Sequence, residues 1–333
     1  MGAVEIPIMK VATLGDGSRD GRLVVVSRDL SRAMDAGHIA PTLQAAIERW
    51  AEVAPQLEQL YLSLNNQTAT NDFAFDQANA LAPLPRAYQW LDGSAFLAHG
   101  ERMQRAFGLA PIEAVETIPL MYQGASDDFL GSRAPVRLPS EAHDIDFEGE
   151  FAVVVDDVLM GCAPEEAGVH IKLLMQLNDV SLRALAPREM KTGFGFIQAK
   201  PASSFAPVAV TPDELGTAWR DGRVHLPLEV FVNDELVGRP HGGEMHFSFS
   251  ELIAHAALTR RLGAGTVIGS GTVSNHDTSL GTTCLSEQRA LEMITQGQPS
   301  TAFLRYGDRI RMEARSLDGS ALFGAINQRI EPA

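Results

Sequence analysis

The sequence predicts a mixed α+β protein, strand-rich, folded as a compact β-roll or sandwich with a small β-rich N-terminal domain. Three observations predict it. Strand-like segments recur at irregular spacing with few helical stretches between them, so the regular βαβ alternation of a doubly wound sheet is missing. The run Phe151 to Val155 is wholly apolar, the mark of a strand buried on both faces. Leu81-Ala82-Pro83-Leu84-Pro85 cannot hold a helix and reads as a linker, which places a boundary near residue 80 and divides the chain into 1–80 and 81–333.

The elements follow in order. Val11 to Leu14, the turn cluster Gly15-Asp16-Gly17-Ser18 and Leu23 to Ser27 read as strand, turn and strand. Met9 to Leu14 resembles a natural strand start, so residues 1–8 are expected to be an extension or the result of a late-chosen start codon. Leu43, Ile47, Trp50, Ala51 and Ala54 recur at three- and four-residue spacing, so a helix is expected from about Pro41 to Leu62 with Pro41 as its first residue. Asn65 to Asp72 is polar and turn-rich. Phe147 to Val155 is expected as a strand ended by Asp156-Asp157, and Pro164 to Leu177 as a helix with Glu165 and Glu166 in its first turn. Val224 to Val237 predicts a hairpin turned at Asn233-Asp234, and Ser250 to Leu262 a capped helix. Thr266 to Ser274 reads as a Gly-rich strand and loop, and Gly307 to Ala314 opens a closing pair of strands.

The charge balance restricts function. With 42 acidic and 27 basic side chains the net charge is −15 over 333 residues, which argues against nucleic acid or an anionic membrane as partner. An anionic small molecule stays open, because it needs only local cations or a bound metal. Cys162 and Cys284 stand alone, so neither a disulfide framework nor a thiolate zinc site is expected, and a reducing cytoplasm is the default location. Ile6 to Leu14 is interrupted by Lys10 and is not followed by a cleavage-like segment, and no apolar run reaches the roughly 18 residues of a membrane span. Gly-x-Ser-x-Gly, Walker and His-Glu-x-x-His motifs are absent, and Gly193-Phe-Gly195-Phe-Ile-Gln198 lacks the third glycine of a dinucleotide loop.

Four patches carry the chemistry. In Asp146-Phe-Glu-Gly-Glu-Phe-Ala-Val-Val-Val155, strand periodicity puts Glu148 and Glu150 on one face, roughly 7 Å apart at the backbone. Two carboxylates so placed repel unless something compensates, and a divalent cation with oxygen ligands is the usual compensator. Asp179, which follows the apolar run Ile171 to Leu177, would bring a third acid. The other patches are Asp92 with His99, Asn178-Asp-Val-Ser-Leu-Arg183 with Lys200, and Gly269-Ser-Gly-Thr-Val-Ser-Asn275, whose backbone N–H groups suit an oxyanion or carboxylate. Taken singly each has an ordinary structural reading: a solvated strand end, a packed His and a capping Asp, surface cations, a plain Gly-rich turn.

Together and in this order, the patches resemble the fumarylacetoacetate hydrolase family over roughly residues 85 to 330. The resemblance rests on Asp146 to Val154, Asn178 to Arg183, Gly193 to Pro201, Gly269 to Ser274 and Pro119-Leu-Met-Tyr-Gln-Gly124. It implies a mixed β-roll, protomers paired as homodimers, and a divalent cation, Mg²⁺ or Ca²⁺ with Mn²⁺ as a further option, held by Asp92, Glu148, Glu150 and Asp179. The seven-residue spacing from Asp92 to His99 matches the family's hydrolases and implies His99 as catalytic base. The resemblance carries Arg183 and Lys200 over as catalytic and substrate-binding cations, Tyr122 and Thr272 as substrate contacts, and Glu287 as the partner of His99, with a spacing from Gly281 that differs by two residues. Two positions depart from the hydrolase pattern: Ala186 replaces a Gln and Ser94 replaces a Tyr.

The implied reaction is hydrolysis of a carbon–carbon bond in a small anionic 1,3-diketo acid, first of all 4-fumarylacetoacetate to fumarate and acetoacetate, as in tyrosine and aromatic catabolism. Alternatives on the same metal are an acylpyruvate or maleylpyruvate hydrolase and a 2-oxo acid decarboxylase or hydratase. A metal-stabilised dimer without catalysis is the rival from another class.

Overall fold

The structure, a computed structural model, describes residues 8–333. Residues 1–7, most of the expected N-terminal extension, lie outside the described residues. Among the described residues, eleven strands form one large sheet. Its order runs Phe73–Ala74, Arg32–Asp35, Arg22–Val26, Lys10–Leu14, Ala209–Val210, Ile171–Asn178, Gly149–Val155, Thr266–Gly269, Trp90–Gly93 and Met121–Gln123, with Ser204–Phe205 also paired to Ile171–Asn178. Pairing is antiparallel except between Thr266–Gly269 and Trp90–Gly93. The N-terminal strands join this sheet through Lys10–Leu14, which pairs with Ala209–Val210. A second sheet holds Glu235–Gly238, Glu229–Val232, Arg309–Glu313, Ile326–Pro332 and Val136–Leu138.

The helices in chain order are α1 (Leu43–Glu48), α2 (Trp50–Asn65), α3 (Leu97–Phe107), α4 (Pro164–Ala167), α5 (Ala186–Thr192), α6 (Phe249–Ala256) and α7 (Leu285–Gln296). Two apolar cores flank the large sheet. Val11, Val25, Ala152 and Val154 pack with Ile47, Val53, Leu57 and Tyr61 of α1 and α2 on one face. Phe151, Val153 and Val155 pack with Val230, Met312 and Ile326 of the second sheet and Leu252 of α6 on the other. Alternate residues of this strand from Phe151 onward thus enter different cores, which is why Phe151 to Val155 is wholly apolar. Among the described residues no helix is long and apolar enough to cross a membrane.

Several expected elements are corrected. Ile171 to Leu177 is a strand, not the second half of a helix; the helical part is only α4 and a 3₁₀ turn over Gly168–His170. A run that is apolar on every side fits a doubly buried strand as well as a buried helix, and here pairing with Gly149–Val155 decides it. The helix expected over Pro41 to Leu62 is two, broken at Arg49, where φ −126° and ψ 32° leave the helical region. Its first cap is Thr42, whose Oγ1 accepts from Ala45 N at 3.1 Å, so Pro41 lies outside it. The helix expected from Ser250 begins at Phe249, directly after Ser248, which with Glu251 forms a reciprocal capping box. The strand expected from Phe147 starts at Gly149, leaving Glu148 on the connection before it. The hairpin at Asn233-Asp234 is present, with φ 51° and 68° there, the left-handed values a tight hairpin turn requires.

Candidate metal centre and its imidazole

Sheet register gathers the acids. Asp92 lies opposite Gly269, Glu150 opposite Leu177, and Gly149 opposite Asn178. Because Trp90–Gly93 and Ile171–Asn178 both end where Gly149–Val155 begins, Asp92, Glu150 and the following Asp179 converge at one end of these interior strands. Two further bonds fold Glu148 onto this end: its N–H donates to Asn178 Oδ1 at 3.1 Å, and its carbonyl accepts from Asp179 N at 2.9 Å. Asp92, Glu148, Glu150 and Asp179 each offer an oxygen within 4.8 Å of the others. Their exposures are 3, 5, 0 and 0%. Gly269 makes room for this approach, since a Cβ there would collide with Asp92 Oδ1 and the Trp90 indole.

Two cations and two hydroxyls hold part of the set. Lys200 Nζ lies 2.6 Å from both Glu148 Oε2 and Asp179 Oδ2. Arg183 Nε donates to Asp146 Oδ2 at 2.8 Å, and its Nη2 pairs with Glu148 Oε1 at 2.6 Å. Ser203 Oγ donates to Asp179 Oδ1 at 2.7 Å, and Tyr122 Oη donates to Asp179 Oδ2. Burial pushes the Glu148 carboxyl up, but Lys200 and then Arg183 outweigh it and hold it well below the usual range. Burial raises the Tyr122 phenol, and the Asp179 charge adds to this.

Glu150 and Asp92 are different. Burial raises both carboxyls well above the usual carboxylate range, reinforced at Glu150 by Asp92 and at Asp92 by Asp179. Neither oxygen of Glu150 has a hydrogen-bond partner. A buried carboxyl with two idle oxygens is costly unless a cation takes them, and an all-oxygen donor set suits a hard divalent ion. The residues therefore fit a divalent metal. Uptake must displace protons from Asp92 and Glu150, so affinity is expected to weaken as pH falls. Calorimetry in two buffers of different ionisation enthalpy should give different heats; identical heats would show that both acids are already ionised.

The imidazole stands at the start of α3. His99 Nδ1 lies 2.8 Å from Glu287 Oε2, across 188 residues of chain. Glu287 is in the first turn of α7, where its N–H donates to the capping Cys284 Sγ at 3.3 Å. Burial raises the Glu287 carboxyl, but the hydrogen bonds from His99 and Ser274 and the Arg102 charge prevail and hold it below the usual range. An ionised Glu287 keeps the ring proton on Nδ1 and leaves Nε2 as the base. His99, Cys284 and Glu287 also cluster as metal ligands do. However, the Glu287 oxygens are already used by His99, Arg102 and Ser274, and burial then Asp146 raise the Cys284 thiol, so the group is arranged to handle a proton.

The remaining expected residues fall as follows. Tyr122 pairs with Asp92 in the adjoining strand, and Thr272 is buried in the loop after Thr266–Gly269. Three N–H groups of that loop are already committed, one of them to a carboxylate. Gly271 N donates to Asp92 Oδ1 at 3.1 Å, Ser270 N to Phe151 O and Val273 N to Gly149 O. Ser94 is half-buried just beyond Trp90–Gly93, and Ala186 opens α5. Sequence reading missed Asp146, Ser203, Ser274 and Arg102. Asp146 is fully buried and receives Leu285 N at 2.8 Å and Ser286 N at 2.9 Å, anchoring the start of α7 as well as Arg183. It stands in the acidic stretch already singled out, where only the two-residue alternation of the glutamates had been used. Arg102, three residues after His99, would have been found had α3 been read as a helix.

Comparison with known proteins gives two family matches. Residues 89–331 match the family described as Fumarylacetoacetate (FAA) hydrolase C-terminal, and residues 9–86 match Fumarylacetoacetase N-terminal domain 2. The oxaloacetate tautomerase fahd2 of Xenopus laevis is 27% identical over 157 residues, 46% of this chain and 47% of that protein. The chain spans about half the length of the curated relatives it matches. Among solved structures, the fumarylacetoacetate hydrolase of Exiguobacterium antarcticum is similar with a TM-score of 0.66 at 19% identity, over 98% of this chain and 100% of that one. The maleylpyruvate hydrolase of Sphingobium sp. SYK-6, in complex with manganese(II) and pyruvate, has a TM-score of 0.65 at 16% identity with the same coverage.

Proposed function

The chain belongs to the fumarylacetoacetate hydrolase family, and on that premise we propose that it is a metal-dependent hydrolase cleaving a carbon–carbon bond in a 1,3-diketo acid, with fumarylacetoacetate as the first candidate. The observation that carries this reading is the His99–Glu287 pair beside the buried acids, an imidazole held as a base for the activation of water.

Asp92, Glu148, Glu150 and Asp179 would hold the ion. When bound, a divalent cation supplies Lewis acidity to the substrate's paired oxygens. The other steps belong to side chains. His99 Nε2 takes a proton from water while Glu287 steadies Nδ1 and the positive charge that forms. The hydroxide adds to one carbonyl carbon, the bond to the central carbon breaks, and its electron pair spreads onto the neighbouring carbonyl. His99 then returns the proton to that carbon, directly or through water. General-base help of this kind is worth about 10²–10⁴ in rate. Lys200 uses two of its three donors on carboxylates and has a third for the developing oxyanion, with Arg183 beside it. Loss of one such donor typically costs about 3–4 kcal/mol of transition-state stabilisation.

A second reading is a 2-oxo acid tautomerase or acylpyruvate hydrolase on the same residues, favoured by the Xenopus relative and by Ser94 and Ala186. Fumarylacetoacetate, maleylpyruvate, acetylpyruvate and oxaloacetate assayed side by side separate the two. Turnover of a diketo acid that stops in EDTA and returns with Mn²⁺ or Mg²⁺ is the expected outcome. Enolisation of oxaloacetate without cleavage of any diketo acid would transfer the assignment to the tautomerases. The chain is further proposed to pair as a homodimer and to work in the cytoplasm; light scattering tests the first.

A further inference from the structure

Arg102 is a charge buried at some cost, and nothing in the proposed reaction yet uses it. It lies on α3 one turn after His99, so both side chains leave the same face of the helix. Four hydrogen bonds from its two Nη atoms hold the guanidinium within the protein. Nη1 donates to Glu287 Oε1 and to Ser274 Oγ at 3.1 Å, and Nη2 donates to the carbonyl of Asn275 and to that of His276 at 3.1 Å. Ser274 Oγ in turn donates to the same Glu287 oxygen at 2.7 Å. One oxygen of Glu287 is therefore fixed by Arg102 and Ser274, and the other is left for His99 Nδ1.

We infer that Arg102 is a positioning residue of the active site, acting through Glu287 to fix the orientation and tautomer of the His99 imidazole. A buried carboxylate deprived of its cation either takes up a proton or turns away. Either change removes the acceptor from His99 Nδ1, and the ring is then free to rotate or to carry its proton on Nε2, where it is useless as a base. The two carbonyl bonds matter because they set the guanidinium at a fixed angle to Glu287. A lysine at 102 could supply charge but not that fork.

The inference rests on His99 acting as proposed above, and the test separates the two. Arg102→Ala is expected to lower kcat at least tenfold on the diketo acid the wild type cleaves, with KM within threefold and Mn²⁺ affinity unchanged. Arg102→Lys should recover part of the loss, and added guanidinium should recover part of it in the alanine variant. In a Glu287→Gln background, Arg102→Ala should cost less than a further threefold, because residues acting through one another are not additive. Independently of turnover, ¹⁵N-edited spectra should show a His99 Nδ1–H resonance, assigned by its loss in His99→Ala, that disappears in Arg102→Ala. If the alanine variant does not fold, the lysine variant carries the same measurements. An unchanged kcat and an unchanged Nδ1–H resonance, or a full additional loss in the Glu287→Gln background, would overturn the role of Arg102. An active His99→Ala would overturn the reading of the site instead.

Discussion

Titrated with Mn²⁺ by calorimetry, the Glu148→Gln/Glu150→Gln double variant is expected to take up no cation while keeping its fold. Four carboxylates converge within 4.8 Å, and the two that change are fixed by opposite means. Glu148 is already ionised, held so by Lys200 and Arg183, and supplies standing negative charge. Glu150 has two oxygens without a partner and is the group whose burial makes most sense with an ion beside it. An amide keeps one oxygen at each position but no charge, and hard divalent ions select charged oxygen. Glu150→Gln should cost little, because burial and like charge already oppose ionisation of that carboxyl. Glu148→Gln removes a counter-charge from Lys200 and Arg183 and should lower the melting temperature, but Lys200 keeps Asp179 and Arg183 keeps Asp146, so the fold should survive. A cooperative melt together with no binding heat is the outcome sought. Wild-type affinity in the folded variant would mean that the acids do not form a metal site.

His99→Ala is expected to bind Mn²⁺ as the wild type does and to lose at least a hundredfold in turnover. The imidazole is outside the carboxylate set and is fixed by Glu287 on α7, so its removal leaves the ligands untouched. What is lost is the base that water activation needs, a loss about the size that general-base catalysis contributes. The variant also leaves Glu287 paired with Arg102 and Ser274, so no buried charge is stranded and the protein should fold. Turnover unchanged from wild type would remove His99 from the reaction and leave the metal site without a proton acceptor of this kind.

The acids were legible because strand periodicity is short-range: residues two apart share a face wherever the strand sits, so the relation of Glu148 to Glu150 could be read without knowing the neighbours. That reading survives although Glu148 lies just before the strand, because Asn178 and Asp179 pin its backbone to the same end. The helix expected over Pro164 to Leu177 failed for the opposite reason. Its apolar run has no polar side to reveal a period, and only pairing with Gly149–Val155 chooses between helix and strand. In the Gly-rich loop, Gly271 N–H meets the Asp92 carboxylate while Ser270 and Val273 N–H serve the sheet, a division that no local pattern announces.

By itself the sequence determined a strand-rich chain with a doubly buried central strand, the acidic pair at its mouth, and, through the order of its motifs, the family. The resemblance already named Glu287 as the partner of His99; the tertiary structure brings the two to 2.8 Å, and it alone decided that Arg102 and Ser274 hold Glu287 and that Asp146 ties Arg183 to the start of α7. The physical reason is distance along the chain. Periodicity and capping act over a few residues and are written locally, whereas these contacts, spanning from 13 to 188 residues, are set by sheet register and helix packing, which the whole chain fixes together.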